Sequence, residues 1–116
     1  MRIDPIIPRP RNERRTPTIR LREQLLDLAS GHATILTHEE KAWASVTFAG
    51  ARHRVELAFE GAEAVATGEC FIAFLPEHEF AIPGQLVADA AGTAVDHRLE
   101  PPRLAVTCEL LLLEEA

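Results

Sequence analysis

Three ionisable side chains, Glu77, His78 and Glu79, stand next to one another between prolines at positions 76 and 83. Carboxylates and imidazoles bind divalent metals and exchange protons near neutral pH, so this cluster is the first place to look for chemistry. Adjacent side chains do not converge on one point, and the chain contains no HExxH pair at helical spacing. We therefore predict a turn here and no bound metal, and keep a metal or acid–base site at these three residues as the alternative.

Two further ionisable residues could join such a site from a distance. His53 lies on the same side of an alternating segment as the apolar residues at 55, 57 and 59, which predicts a partly buried histidine. Asp89 follows the turn at Pro83-Gly84. An enzyme would need a pocket between a helix and the sheet in which these groups meet. The candidates for catalysis are then His53, Glu77, His78, Glu79 and Asp89.

Arg52 and Arg54 flank this histidine and offer a different chemistry. The planar guanidinium fork binds carboxylates and phosphates, so the two arginines are candidates for an anion site. The favoured alternative is that both are ordinary strand residues, paired with Glu56 or with glutamates across the sheet. The chain has neither a GxGxxG nor a GxxxxGK[ST] phosphate loop, and we predict no cofactor.

The positive charge of the chain is concentrated at one end. The net charge is −6, yet residues 1–22 hold seven arginines against Asp4 and Glu13. Prolines among these arginines predict an extended arm over residues 1–16, followed by one domain over residues 17–116. The arm could contact nucleic acid or dock on the acidic body. The absence of tyrosine, the single Trp43 and the acidic body argue against nucleic acid.

The remaining composition is that of an ordinary folded domain. Hydrophobic residues make up 47% of the chain, which is enough for a core. Cys70 and Cys108 are too few for a disulfide framework, and we expect both to be buried. No apolar run is long enough for a signal peptide or a membrane span. These features predict a cytoplasmic protein without membrane contact.

The hydrophobic pattern predicts a mixed fold of the α+β class. Thr16-Pro17 has the residue types of a helix start, and Gly31 those of a helix end. Adjacent strands joined by short turns imply an antiparallel sheet of four or five strands with two helices on one face. The predicted order is α-β-β-β-α-β-β, with helices over 17–30 and 62–75 and strands over 33–37, 43–49, 53–60, 85–99 (alternatively a hairpin) and 103–113.

The last strand contains four consecutive leucines at positions 110–113. An apolar run without alternation predicts a strand that is buried on both faces, whereas two short helices cover only one face. The simplest cover for the other face is a second copy of the chain. We therefore predict a homodimer with Leu111 and Leu113 in its interface, and the N-terminal arm folded across this face as the alternative.

Taken together, these patterns favour a dimeric, non-catalytic interaction or small-ligand-binding module. The first alternative is a small enzyme with a pocket around His53 and His78, either metal-dependent or acting on an acyl or carboxylate substrate. LPEHEFAIPGQLVADA, residues 75–90, is similar at a few positions to loop-and-strand segments of hotdog-fold acyl dehydratases and thioesterases. The second alternative is nucleic-acid contact through the arginine arm.

Overall fold

A computed structural model describes residues 16–115 as one antiparallel sheet with two helices packed on one of its faces. The strands are arranged in the order β1-β2-β4-β3, so β1 and β3 form the two edges. The predicted α+β class and antiparallel sheet are confirmed. The elements are α1 (Pro17–Leu28), β1 (Ala33–Ala44), β2 (Ala49–Glu60), α2 (Ala62–Phe74), β3 (Gln85–Leu99) and β4 (Pro102–Glu114), with a 3-10 turn at Leu75–Glu77 after α2.

Helix α1 begins where the sequence predicts. The Thr16 hydroxyl accepts a hydrogen bond from the Ile19 amide at 3.2 Å, and Pro17 occupies the first helical turn, where its missing N–H is not needed. Leu21 and Leu25 point into the core. The predicted arm, apart from Thr16, lies outside the described residues.

Two long strands lie between the helices where the sequence predicts three shorter ones. The charged segment at 38–41, which separates the predicted strands over 33–37 and 43–49, lies in the middle of β1. Residues 50–52, which separate the predicted strands over 43–49 and 53–60, lie inside β2, and the actual turn is formed by residues 45–48. Charged residues are tolerated in β1 because it is an edge strand with much of its surface exposed. Similarly, β3 is one strand rather than a hairpin, with irregularities at Val87/Asp89 and Gly92/Ala94.

The core lies between the helices and one face of the sheet. Helix α2 approaches the sheet closely at Gly68, since a Cβ placed there would lie 2.7 Å from Leu104 Cδ2 and 2.9 Å from the Phe59 ring. Glycine has a low helix propensity, yet at this position it lets the helix pack against the sheet. The largest fully buried side chains are Phe59, Phe71, Leu21, Leu25, Leu57, Leu75, Leu104, Leu110, Leu112, His53, Val55 and Val106.

The opposite face of the sheet is mostly polar. Residues paired in register lie side by side on one face, so Glu39, Arg54 and Glu109 form one row across three strands. Arg54 Nε and a carboxylate oxygen of Glu109 are 3.6 Å apart. The adjacent row contains Lys41 and Arg52.

Only the last row of this polar face is apolar. It runs from Trp43 through Gly50 and Leu113 to Leu86, and it lies beside the β1–β2 turn that carries Val46 and Phe48. We call Trp43, Val46, Phe48, Leu86 and Leu113 the apolar end of the sheet.

The four leucines of β4 therefore have different environments. Leu110 and Leu112 face the helices and are buried in the core. Leu113 is only 7% exposed within the single chain, while Leu111 is half-buried in a row between Arg52 and Asp89. The predicted apolar surface on both sides of β4 is thus limited to one end of the sheet, because charged residues of the neighbouring strands occupy the rows beyond it. The role of Leu111 and Leu113 in a homodimer stays a prediction.

Candidate functional site

An open cleft of about 500 Å³ lies at the end of the helix-covered face. Small residues, Ala42, Gly50 and Ala51, line it on the two neighbouring strands β1 and β2. Pro17, the first residue of α1, also lines the cleft, which therefore opens beside the point where the described chain begins. Its polar lining residues are Glu40, His53, Gln85 and Glu114.

His53 is the most deeply buried of these polar residues, with 2% of its surface exposed. Its Nδ1 atom lies 2.9 Å from Nε2 of His38, and the two rings meet edge to face with centroids 5.1 Å apart. The sequence predicts the burial of His53 from strand alternation. It gives no sign of His38, because His38 lies between the predicted strands over 33–37 and 43–49.

Helix α1 fixes the proton positions of this histidine pair. Arg22 Nε donates a hydrogen bond to Nδ1 of His38 at 2.9 Å. With that nitrogen accepting, the proton of neutral His38 is on Nε2 and is donated to Nδ1 of His53. The proton of neutral His53 is then on its own Nε2. The chain of hydrogen bonds runs Arg22 to His38 to His53 and leaves a donor at its end.

The same helix turn also holds the adjacent acid of β1. Thr18 Oγ1 donates to a carboxylate oxygen of Glu40 at 2.9 Å. Glu40 and His38 are two positions apart on β1 and so lie on the same face of the strand. Thr18 and Arg22, one helical turn apart on α1, therefore position Glu40 and His38, the two polar residues that β1 presents to the helices.

Both histidines are held in the neutral form. Burial, the neighbouring His53 and the Arg22 guanidinium lower the pKa of His38 to about 4. Burial also lowers the pKa of His53, and the nearby Glu40 carboxylate opposes that effect. Neither ring carries a charge at neutral pH, so the pair acts there as a fixed hydrogen-bonding unit.

The Glu77-His78-Glu79 cluster lies at a different pocket. Glu77 ends the 3-10 turn, and the His78 ring packs edge-on against Phe80 with centroids 4.6 Å apart. His78 and Glu79 line an open pocket of about 670 Å³ with the loop at 80–83 and the start of β3. Gln24 of α1 secures this loop, because its amide accepts from the Ala81 N–H and donates to the Ala81 carbonyl.

The candidates for catalysis are therefore distributed over several places. His53 and His78 line separate pockets, although Gln85 borders both. Asp89 pairs with Leu111 and lies on the polar face, opposite the helices. Among residues 16–115, no three His, Cys, Asp or Glu side chains are grouped closely enough to hold a metal ion.

Arg52 and Arg54 lie on the polar face beside a shallow depression of about 330 Å³. Glu39, Lys41 and Glu109 complete its lining, and Arg54 forms the ion pair with Glu109 described above. An anion bound there would compete with carboxylates that are already present.

The cysteines differ from each other in exposure. Cys108 is buried as expected, its thiol contacts the Val55 carbonyl at 3.5 Å, and burial raises its pKa to about 12. The prediction for Cys70 is wrong, because this residue is exposed. It lies on the outer side of α2, whose inner side is defined by Ala64, Val65, Gly68 and Phe71.

Comparison with known proteins identifies a shared fold and no family. No protein-family model matches the chain, and no curated protein matches it. The chain is similar to a solved structure described as the virion of a native gene transfer agent particle, with a TM-score of 0.52 and 12% identity. The match covers 85% of this chain and 92% of that one. In residues 16–115, no helix is long and apolar enough to cross a membrane.

Proposed function

We propose that this protein is a non-catalytic assembly subunit that associates with copies of itself through the apolar end of its sheet. The observation that carries this proposal is the exposure of Val46 and Phe48 at the tip of the β1–β2 hairpin. Val46 is fully exposed and Phe48 is 51% exposed. Burying one such side chain contributes about 1.5–3 kcal/mol, so adjacent exposed apolar residues mark a surface that other proteins contact.

The hairpin tip is held in a defined shape. The Ser45 amide donates to the Phe48 carbonyl at 2.7 Å, and the Phe48 amide donates to the Ser45 hydroxyl at 3.1 Å. A rigid turn loses little conformational entropy on binding, which favours its use as a contact. Leu86, 50% exposed in the adjacent row, extends the apolar surface beyond the tip.

The fold comparison supports the same proposal at a coarser level. The similar chain belongs to a particle built from many subunits, and nearly all of that chain is matched.

The scattered placement of His53, His78 and Asp89 favours assembly over the enzyme alternative, because catalytic groups must converge on one substrate. Both cysteines are free, which supports the cytoplasmic location predicted from the sequence. Binding of a small ligand remains the second candidate function, supported by the cleft beside His53.

Sedimentation velocity over a range of protein concentrations tests this proposal. We expect the wild-type chain to form particles of more than one copy. The Val46→Asp/Phe48→Asp variant should weaken association by at least about tenfold, which corresponds to about 1.4 kcal/mol. Leu99→Asp, which places the same charge on an exposed apolar residue at the opposite end of the sheet, is the matched control and should associate as the wild type does.

A second variant separates two versions of the interface. Leu111→Lys changes the residue predicted from the sequence to lie in a homodimer interface, outside the apolar end. If Leu111→Lys abolishes association and Val46→Asp/Phe48→Asp does not, the interface lies on the charged rows of the sheet instead of the apolar end. A wild-type chain that remains single at the highest concentration would refute self-association altogether.

A further inference from the structure

We infer that the cleft beside His53 binds the arginine-rich segment of residues 1–15 of the same chain. This inference does not depend on self-association. It combines a buried hydrogen-bond donor, the charge of the cleft, and the position at which the described chain begins.

The buried donor is Nε2 of His53. Its other ring nitrogen is occupied by His38, and Arg22 fixes the tautomers so that Nε2 carries the proton. Among residues 16–115, no hydrogen-bond partner is found for this N–H. A buried donor without a partner costs about 1–3 kcal/mol, so the structure favours an acceptor in the cleft. A peptide carbonyl is such an acceptor, and an extended segment presents one at every residue.

The charge of the cleft indicates which peptide fits. Glu40 and Glu114 line it, and none of the described residues in its lining is a lysine or an arginine. Residues 1–15 hold five arginines against Asp4 and Glu13. A guanidinium binds carboxylates in a planar fork, so an arginine side chain in this segment complements Glu114 while its backbone meets His53.

The connection to α1 gives this segment an advantage over any free peptide. Pro17 lines the cleft, and residue 15 is only two positions before it. Each extended residue spans at most about 3.3–3.6 Å, so arginines at positions 9–15 all have the reach to enter the cleft. A short tether produces an effective concentration in the millimolar range, which makes binding within one chain effective even when the contact itself is weak.

Limited trypsin digestion of the full chain tests the contact. Cleavage after Arg11, Arg14 and Arg15 requires the segment to be free, so binding in the cleft slows it. We expect Glu114→Gln to speed this cleavage about two- to fivefold, the ratio that corresponds to about 0.4–1 kcal/mol for one partly exposed charge pair. The matched control is Glu100→Gln, which changes an exposed glutamate in the β3–β4 turn at the other end of the sheet and should leave the rate unchanged.

Nuclear magnetic resonance supplies a second readout that does not depend on proteolysis. Replacing Arg9, Arg11, Arg14 and Arg15 by glutamine should shift the amide signals of Gly50, Ala51 and Glu114. The signals of Gly92 and Thr107, which do not line the cleft, should stay in place and report an intact fold.

Three results would overturn the inference. Equal cleavage rates in the wild type and Glu114→Gln, with unshifted cleft signals, would mean that the segment does not enter the cleft. Protection that increases with protein concentration would assign the cleft to the segment of a neighbouring copy. Protection that appears only when a mixed oligonucleotide is added would assign the arginines to nucleic acid.

Discussion

At the scale of single residues, the most informative arrangement is the hydrogen-bond chain from Arg22 through His38 to His53. Both rings are neutral, and a proton added to His38 would face the Arg22 guanidinium on one side and a second ring on the other. The protonation state of His38 on β1 is therefore linked to the hydrogen bond that Arg22 of α1 donates to it. This link predicts how folding stability responds to pH.

We expect the free energy of unfolding to fall as the pH decreases from 6.5 toward 4. The pKa of His38 is about 4 in the folded chain and 6.5 in the unfolded chain, so the unfolded chain takes up the proton first. The full contribution of neutral His38 is present above pH 6.5 and is lost as the pH approaches 4. Urea unfolding at several pH values measures the slope.

Two variants identify the residue responsible for this slope. His38→Gln should reduce this slope without abolishing it, because the pKa of His53 is lowered as well, and the variant should be less stable at pH 7. His97→Gln, which removes an exposed histidine of β3, should retain the wild-type slope. If His38→Gln keeps the full slope, other groups are responsible for the pH response.

The guanidinium of Arg22 makes its own contribution, which can be measured separately. Arg22→Gln removes a positive charge next to His38 while keeping a side chain that can donate a hydrogen bond. The pKa of His38 should rise from about 4 and remain below 6.5, because burial and His53 still lower it. A nuclear magnetic resonance titration of the ring protons reports this value. An unchanged pKa would show that burial and His53 account for the shift without Arg22.

At the scale of elements, the packing of α2 depends on Gly68. A methyl group there would meet the Leu104 side chain and the Phe59 ring at distances shorter than ordinary contact. Such overpacking costs about 1–3 kcal/mol, whereas alanine gains at most about 1 kcal/mol of helix propensity. Gly68→Ala should therefore lower the free energy of unfolding by about 1–2 kcal/mol in chemical denaturation.

The control for this substitution is the neighbouring exposed residue of the same helix. Glu69 is exposed and its replacement by alanine changes helix propensity only slightly, so the effect of Glu69→Ala should stay within about 0.5 kcal/mol. A stabilised Gly68→Ala variant would mean that α2 moves away from the sheet at little cost.

The ends of helices and strands could be predicted where a local residue type determines them. Thr16-Pro17 starts α1, and the prolines near positions 76 and 101 lie where α2 and β3 end. The number of strands between the helices could not be predicted. The charged middle of the edge strand β1 is stabilised by hydrogen bonds from Thr18 and Arg22 of α1, and these are tertiary contacts that the local sequence does not indicate.

The site could be predicted only in part for the same reason. Alternation along β2 indicates a buried His53, since its side is shared with apolar residues. Its partner His38 is 15 residues away, and their contact depends on the register of β1 against β2. Residues 77–79 have the side chains of a metal or acid–base site, but in the structure they form the end of a 3-10 turn and one side of a loop pocket.

At the scale of the whole molecule, the described residues form a flat plate with extents of 57 × 41 × 21 Å. The apolar end and the cleft beside His53 lie on opposite faces of the plate at the same end of the sheet. Gly50 lines the cleft and pairs with Trp43 and Leu113 of the apolar end. A Cβ at Gly50 would collide with the Leu112 carbonyl, so β2 and β4 leave no room for a side chain there. The association proposed on one face and the arm binding proposed on the other would therefore use the same stretch of backbone.

The irregular pairing of the two outer strands limits how copies can join. β1 has a register shift between Ile35 and Thr37, and β3 has two such shifts along its length. Kinks of this kind interrupt the straight line of outward amides and carbonyls that an incoming strand would need for continuous hydrogen bonding. We therefore expect the proposed association to use contacts of finite size rather than continuous pairing of strands between sheet edges.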